Sequence, residues 1–250
     1  MTVTFHFSAS GIATFRKIMD FLNFKDFLQD VNLVFKEEGM YIQSMDEYHV
    51  CLVNIQLDKK VCKTYKLTKP NLSLGINLDS ICKILKCTGS SDTTFSYNEI
   101  KNVMVIKVYE GSKVKSKFEL RLISKDDEVV SIPKLLDYSN INVLAFDQIS
   151  KACSDLLVFT SPEDDLIISA NGTNELSFKS SGDTISAEII VETTSKARNQ
   201  CKVNVSLKYI QWFTKISSME ITLSIDKNHP ILWESQDDCI KCAFFLASKN

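Results

Sequence analysis

The chain has 250 residues, of which 44% are hydrophobic and 24% charged, and its formal net charge is −2. That balance excludes a disordered or fibrous chain and leaves room for two domains of ordinary size. A charge so close to zero does not advertise a polyanionic partner, so any nucleic-acid contact has to come from local clusters of Lys and Arg.

In chain order, residues 1–10 carry no basic stretch followed by a long apolar run, and nowhere do eighteen apolar residues follow one another, which predicts a chain neither secreted nor membrane-spanning. Apolar spacing of three to four predicts a helix from Thr14 to Leu22. Met40 to Met45 then alternates as a strand, and a second helix is predicted from Leu78 to Lys86. Asn102 to Val108 alternates again. The segment from Ser124 to Asp137 combines a charge cluster with Pro133 and suits an exposed connector. Two further helices are predicted, Phe146 to Leu156 and Leu207 to Ile216, followed by a strand from Glu220 to Ile225.

The order helix, strands, helix, strands thus occurs once in each half, which suggests a duplication. Asn77 to Lys86 aligns with Ser206 to Lys215, and Phe15-Arg-Lys-Ile18 falls over Phe146-Asp-Gln-Ile149, both at an offset of about 130 residues. The expected organisation is a domain at 1–122, a connector at 123–137 and a second domain at 138–250, each domain an antiparallel sheet with two short helices on one face, hence α+β.

Eight cysteines are scattered through apolar stretches without the spacing of a disulfide scaffold, as expected of free thiols in a reducing compartment. Cys239 and Cys242 could form half a zinc site, but no second pair has ligand spacing, so no metal or other cofactor is expected. The sequons at Asn71, Asn171 and Asn204 read as chance occurrences. There is no glycine-rich phosphate loop, no Gly-x-Ser-x-Gly and no His-Glu-x-x-His, which leaves no enzyme class supported. One alternative keeps an enzyme on a two-domain β scaffold with Asp46 and His49 as an acid–base pair, although no nucleophile accompanies them.

Five segments in order resemble the proliferating cell nuclear antigen family of DNA sliding clamps. They are Gly39 to Val53 with its Gln43-Ser-Met-Asp46 core and His49-Val50, Gly75 to Cys87, Phe118 to Leu122 leading into Ser131-Ile-Pro133, Leu207 to Lys215, and Phe244 to Ala247. The resemblance implies the DNA clamp fold: a non-enzymatic homotrimeric ring of two-domain subunits around double-stranded DNA, held without sequence preference. It implies a DNA polymerase, further replication and repair proteins and a clamp loader as partners, in a nucleus or at a viral replication site. The near-neutral charge departs from the acidic exterior common in that family and hints at a divergent or viral lineage. A subunit of a heterotrimeric checkpoint-type clamp is the alternative within the fold; Gln43 to Asp46 and Lys83 to Lys86 look closer to the replicative form.

Carried over by matching segments, Lys17, Lys83, Lys86, Lys151 and Lys215 become the expected DNA contacts, with Arg16 and Lys208 in addition. Leu78, Ile81, Ile84 and Leu85 are expected to face the sheet. The third helix carries Asp147, Gln148 and Asp155 beside Lys151 and is less basic than the family pattern. The pocket that takes a partner's short motif of glutamine, aliphatic and two aromatic residues would be walled by Met45, His49, Val50, Leu52, Val130, Ile132, Pro133, Pro230 and Ala247. Ser248 stands in place of the usual proline, the family's acidic tail is not seen after Asn250, and the connector gains a residue around Lys134 to Asp137. Subunits are expected to join through edge strands near Lys107 to Phe118 and near Ser177 to Ile189, with Phe118, Cys87 and Cys153 close by.

Overall fold

A computed structural model describes residues 3–124, 138–194, 199–216 and 220–249, apart from the side chains of Asp26 and Glu220. The chain divides into two compact units. One gathers Met1–Glu47, Asn54–Val130 and Asp238–Ile240; the other gathers Tyr48–Val53, Ser131–Asp237 and Lys241–Asn250.

The elements up to residue 124 are β1 (Val3–Phe7), α1 (Ala9–Leu22), β2 (Asp30–Lys36), β3 (Gly39–Met45), β4 (Cys51–Asp58), β5 (Cys62–Leu67), β6 (Leu72–Asn77), α2 (Leu78–Thr88), β7 (Thr93–Asn98), β8 (Val103–Glu110) and β9 (Lys113–Arg121). In the first unit β5, β1, β7, β8 and β9 form one antiparallel sheet in that order, and β2 pairs with both β3 and β6. The predicted single sheet per half is therefore two sheet regions. Strict alternation along β1 sends Phe5 and Phe7 inward, where Phe5 stacks on Phe95 with ring centroids 4.9 Å apart and Phe7 stacks on Phe15 of α1 at 5.2 Å. These rings dock α1 on the sheet.

Helix α1 starts earlier than predicted, because Ser8 caps it by accepting the Gly11 N–H at 3.1 Å. Gly11 has to be glycine: a Cβ there would lie 2.2 Å from the Val61 carbonyl oxygen. A comparable squeeze occurs at Gly75, where a Cβ would meet the Ile123 carbonyl oxygen at 2.4 Å and where an isolated bridge ties Ile123 back to β6.

The remaining elements are β10 (Asn140–Ala145), α3 (Phe146–Leu156), β11 (Asp165–Asn171), β12 (Glu175–Ser181), β13 (Ser186–Glu192), β14 (Gln200–Ser206), α4 (Leu207–Phe213), β15 (Glu220–Ile225), β16 (Ile231–Gln236) and β17 (Ile240–Leu246). In the second unit the order β13, β12, β11, β14 makes one antiparallel sheet, and β10, β15, β16, β17 pair in series. Phe213 of α4 stacks on Phe244 at 4.5 Å and leans on Trp233 at 5.5 Å, so an aromatic cluster again seats a helix.

The duplication is present, but its register on the first helix differs from the expected one. α3 begins at Phe146, whereas Phe15 lies in the middle of α1. Matching helix to helix puts buried Ile12, Phe15 and Met19 over buried Ile149, Ala152 and Leu156 instead. α2 and α4 keep the expected register, both starting on a buried leucine, Leu78 and Leu207. α4 stops at Phe213, with residues 214–216 forming turns.

Candidate nucleic-acid and partner surfaces

Each helix pair buries one side and exposes the other. On α2, Leu78, Ile81, Cys82 and Leu85 are buried, while Ile84, expected to face the sheet, is only half-buried. Lys83 and Lys86 are exposed on the outer side, as is Lys17 on α1. Lys83 meets Asp79 one turn back at 2.6 Å, but both are well exposed, so the pair costs little to open. In the second unit Lys151 of α3 and Lys215 just after α4 are exposed, with Asp147, Gln148 and Asp155 exposed on α3.

Two of the expected DNA contacts have other employment. Arg16 Nη2 donates to Thr88 Oγ1 at 2.8 Å and to the Gly89 carbonyl at 2.6 Å. It thereby sits at the C-terminal end of α2, where carbonyls lack intrahelical donors and the helix dipole favours a cation. Lys208 is only 17% exposed and pairs with Glu163 at 3.0 Å. Both are thus less exposed than the other expected contacts.

For the peptide pocket, Val130, Ile132 and Pro133 lie outside the described residues, as does most of the connector. Met45 of β3 is half-buried and belongs to the first unit. Within the second unit the Val50 carbonyl accepts the Ala247 N–H at 2.9 Å, which brings two of the expected wall residues together. Leu52 is buried, Pro230 and Ala247 are exposed, and the Pro230 carbonyl accepts the Tyr138 hydroxyl at 2.7 Å. His49 is exposed with φ 54°, a left-handed conformation uncommon outside glycine, whereas Asp46 is buried.

The two windows expected to supply edge strands each span a hairpin. The strands that end their sheets are β9 and β13, while β8 and β12 are interior. Phe118 on β9 is half-buried and Cys87 is exposed, but Cys153 is 2% exposed and has little surface to offer a neighbour. Burial pushes the thiols of Cys153 and Cys82 up to about 12, the latter reinforced by the nearby Asp20 carboxylate. Among the described residues no group of three or more His, Cys, Asp or Glu side chains is arranged to hold a metal ion.

Sequence reasoning passed over two features. Tyr48 is 70% exposed, and nothing in its spacing marked it. Ile190 on β13 is 61% exposed; the adjacent pair Ile189-Ile190 was the available signal, because neighbouring strand residues face opposite sides.

The family model described as proliferating cell nuclear antigen, N-terminal domain, matches residues 5–129. The proliferating cell nuclear antigen of Dictyostelium discoideum is 32% identical over 252 aligned residues, covering 94% of this chain and 95% of the relative. With two repeated units of antiparallel sheets and paired helices beneath these matches, the chain belongs to the proliferating cell nuclear antigen family of DNA sliding clamps.

Proposed function

We propose that this sliding clamp closes as a homotrimer around duplex DNA, a non-enzymatic scaffold lined by its helix pairs. The observation that carries the reading is the exposure of Lys17, Lys83, Lys86 and Lys151 on helices whose apolar sides are buried, with Lys215 exposed in the turn after α4. Long, flexible cations can follow a sliding phosphate backbone, and phosphate contacts carry no sequence information. A closed ring retains DNA topologically, so each contact can stay weak and salt-sensitive.

Subunit joining is supported by the two unlike edges. β9 exposes Lys113, Lys115, Lys117 and Arg121 along with one acid, Glu119, which pairs with Lys117 at 2.7 Å; β13 exposes Glu188 and Glu192. Lysines opposite glutamates favour β9 meeting β13 of the next copy and disfavour either edge meeting itself, which is the head-to-tail contact a ring requires. Exposed Val114 and Ile190 add apolar area to the same edges. Of the expected pocket walls, His49, Val50, Leu52, Pro230 and Ala247 of the second unit would help to take a polymerase's short motif, and a clamp loader would open the ring, in a nucleus or at a viral replication site.

Light scattering over a range of concentrations tests the assembly. A mass three times the chain's 28.3 kDa supports the homotrimer; a persistent monomer favours a ring built with other subunits. Reversing the charges of Lys83, Lys86 and Lys215 together should weaken DNA-dependent polymerase stimulation without unfolding the chain, and full stimulation at moderate salt would sink the assigned lining.

A further inference from the structure

Lys83 and Lys86 are both exposed on the outer side of α2, yet their surroundings differ. The Lys83 ammonium donates to Asp79 Oδ2 at 2.6 Å, with the two side chains 70% and 60% exposed. Four residues before Lys86 stands buried Cys82, so that lysine has no acid one turn back. Of Lys17, Lys83, Lys86 and Lys151, Lys83 alone is ion-paired among the described residues. Long side chains on a helix lean toward its N-terminus, which carries the Lys83 ammonium over Asp79, while its exposure leaves it free to swing outward.

The Asp79 carboxylate is not the cap of its helix. Asn77 Oδ1 fills that position by accepting the Ser80 N–H, and among the described residues the one hydrogen bond to the Asp79 carboxylate comes from Lys83. An acid in the first turn does favour the helix dipole, but that gain is the same whether or not a lysine follows four residues later. The spacing recurs in the other unit. Asp147 is the second residue of α3 and Lys151 follows four later, just as Asp79 is the second residue of α2. Because α2 corresponds to α4 in the repeat and not to α3, the shared spacing is not a relic of the duplication.

We infer that Asp79 is a resident competitor for the DNA phosphate: it acts through Lys83, giving the ammonium a carboxylate to return to and so keeping that DNA contact brief. This rests on the reading of Lys83 as a lining residue given above. The phosphate has to displace Asp79, and on leaving it is replaced by Asp79, so the cation is never left without an anion and letting go is easy. A ring that holds DNA topologically gains from such exchange, since a tight phosphate contact would slow sliding without being needed for retention. The competition is itself electrostatic and exposed, so added salt weakens the Lys83–Asp79 pair as well as the Lys83–phosphate one. Asp79 therefore makes DNA binding both weaker and less steeply dependent on salt.

The experiment measures binding of the full chain to a fluorescein-labelled linear duplex of mixed sequence by anisotropy, across a series of salt concentrations. It compares the wild type with D79N, D79E, K83Q and the D79N/K83Q double variant, and records a urea midpoint for each. D79N should bind about 2-fold more tightly for each subunit engaged, hence up to roughly 8-fold for a three-copy ring, with a steeper salt slope. D79E should match the wild type, because a glutamate at the same spacing keeps the pair with Lys83. In the K83Q background D79N should gain nothing, since the carboxylate acts through the lysine. Equal gains with and without Lys83 would mean that Asp79 repels DNA directly, and would overturn the competitor role. So would a D79E chain as tight as D79N. An aspartate that only stabilises its helix would move the urea midpoint of D79N and leave affinity and salt slope unchanged, which also overturns it. These results are separable from failure of the lining itself: K83Q with wild-type affinity and slope removes Lys83 from the DNA face and the role of Asp79 with it.

Discussion

In the first unit, Arg16 reaches from α1 to the end of α2, and α2 has an asparagine cap, Asn77 Oδ1 accepting the Ser80 N–H at 3.0 Å. In the second unit α3 and α4 lack side-chain caps; the first turn of α4 is satisfied instead by backbone carbonyls of Pro162 and Asp164. The outer surfaces differ too. Lys17, Lys83 and Lys86 face water on the first pair, while on the second Lys151 stands between Asp147 and Asp155. One repeated plan has therefore been finished with different chemistry, and the contrast separates what the fold demands, a buried apolar side and satisfied helix ends, from what function adds on the outer side.

The hardest test of that contrast removes a ring from one unit only. Phe95→Ala in the first unit and Phe213→Ala in the second should each cost about 3–5 kcal/mol. Both tryptophans, Trp212 and Trp233, lie in the second unit, so their fluorescence reports that unit while circular dichroism reports the whole chain. In urea, Phe95→Ala should move the dichroism transition ahead of the fluorescence one; coincident shifts would mean the units unfold as one.

A smaller effect is expected from charge. Reversing Lys83 and Lys86 should lower affinity for duplex DNA roughly tenfold, with a salt slope shallower by about 2. Reversing Lys151 alone should lower it only about threefold, because a single phosphate contact is lost and Asp147 and Asp155 lie one turn to either side. Equal losses would erase the difference between the two pairs.

Arg16→Ala should destabilise the chain by about 1–2 kcal/mol through the end of α2, with an unchanged DNA salt slope. Arg16→Lys should recover only part of it, since an ammonium does not reproduce the guanidinium's planar donor geometry. A shallower slope in Arg16→Ala would return this residue to the DNA face.

The smallest effect concerns pH. Hydrogen bonds from Asn204 and then Lys249 hold the Asp165 carboxyl below its usual 3.8, and the Lys63 ammonium does the same for Asp92 in the first unit. A depressed folded value means the stabilisation is present above the ordinary carboxylate range and disappears as pH falls through the folded value. Asp165→Asn and Asp92→Asn should each flatten the acid limb of the stability curve by less than about 1 kcal/mol, as exposed pairs do.

Much of this was legible in the sequence because it depended on period. The buried faces of α2 and α3 and the strand at Glu220–Ile225 follow from spacing alone. What escaped depended on long-range neighbours. The start of α1 looks like a polar, glycine-bearing stretch until Val61 is seen against Gly11. Arg16 and Lys208 read as helix cations like any other, since nothing in a linear sequence brings Thr88 to the one or Glu163 and Tyr48 to the other. The edge strands were found only to within a hairpin, because alternation identifies strands but not which of two lacks a neighbour.

The distribution of thiols makes the chain a ready-made reporter. Of its eight cysteines only Cys87 is exposed, at the end of α2 beside the lysines, while Cys82 and Cys153 are kept protonated by burial. A maleimide dye at neutral pH should therefore mark Cys87 first, without engineered substitutions. If neighbouring copies cover that end of α2, the rate of marking becomes a clock for how often a subunit edge comes free.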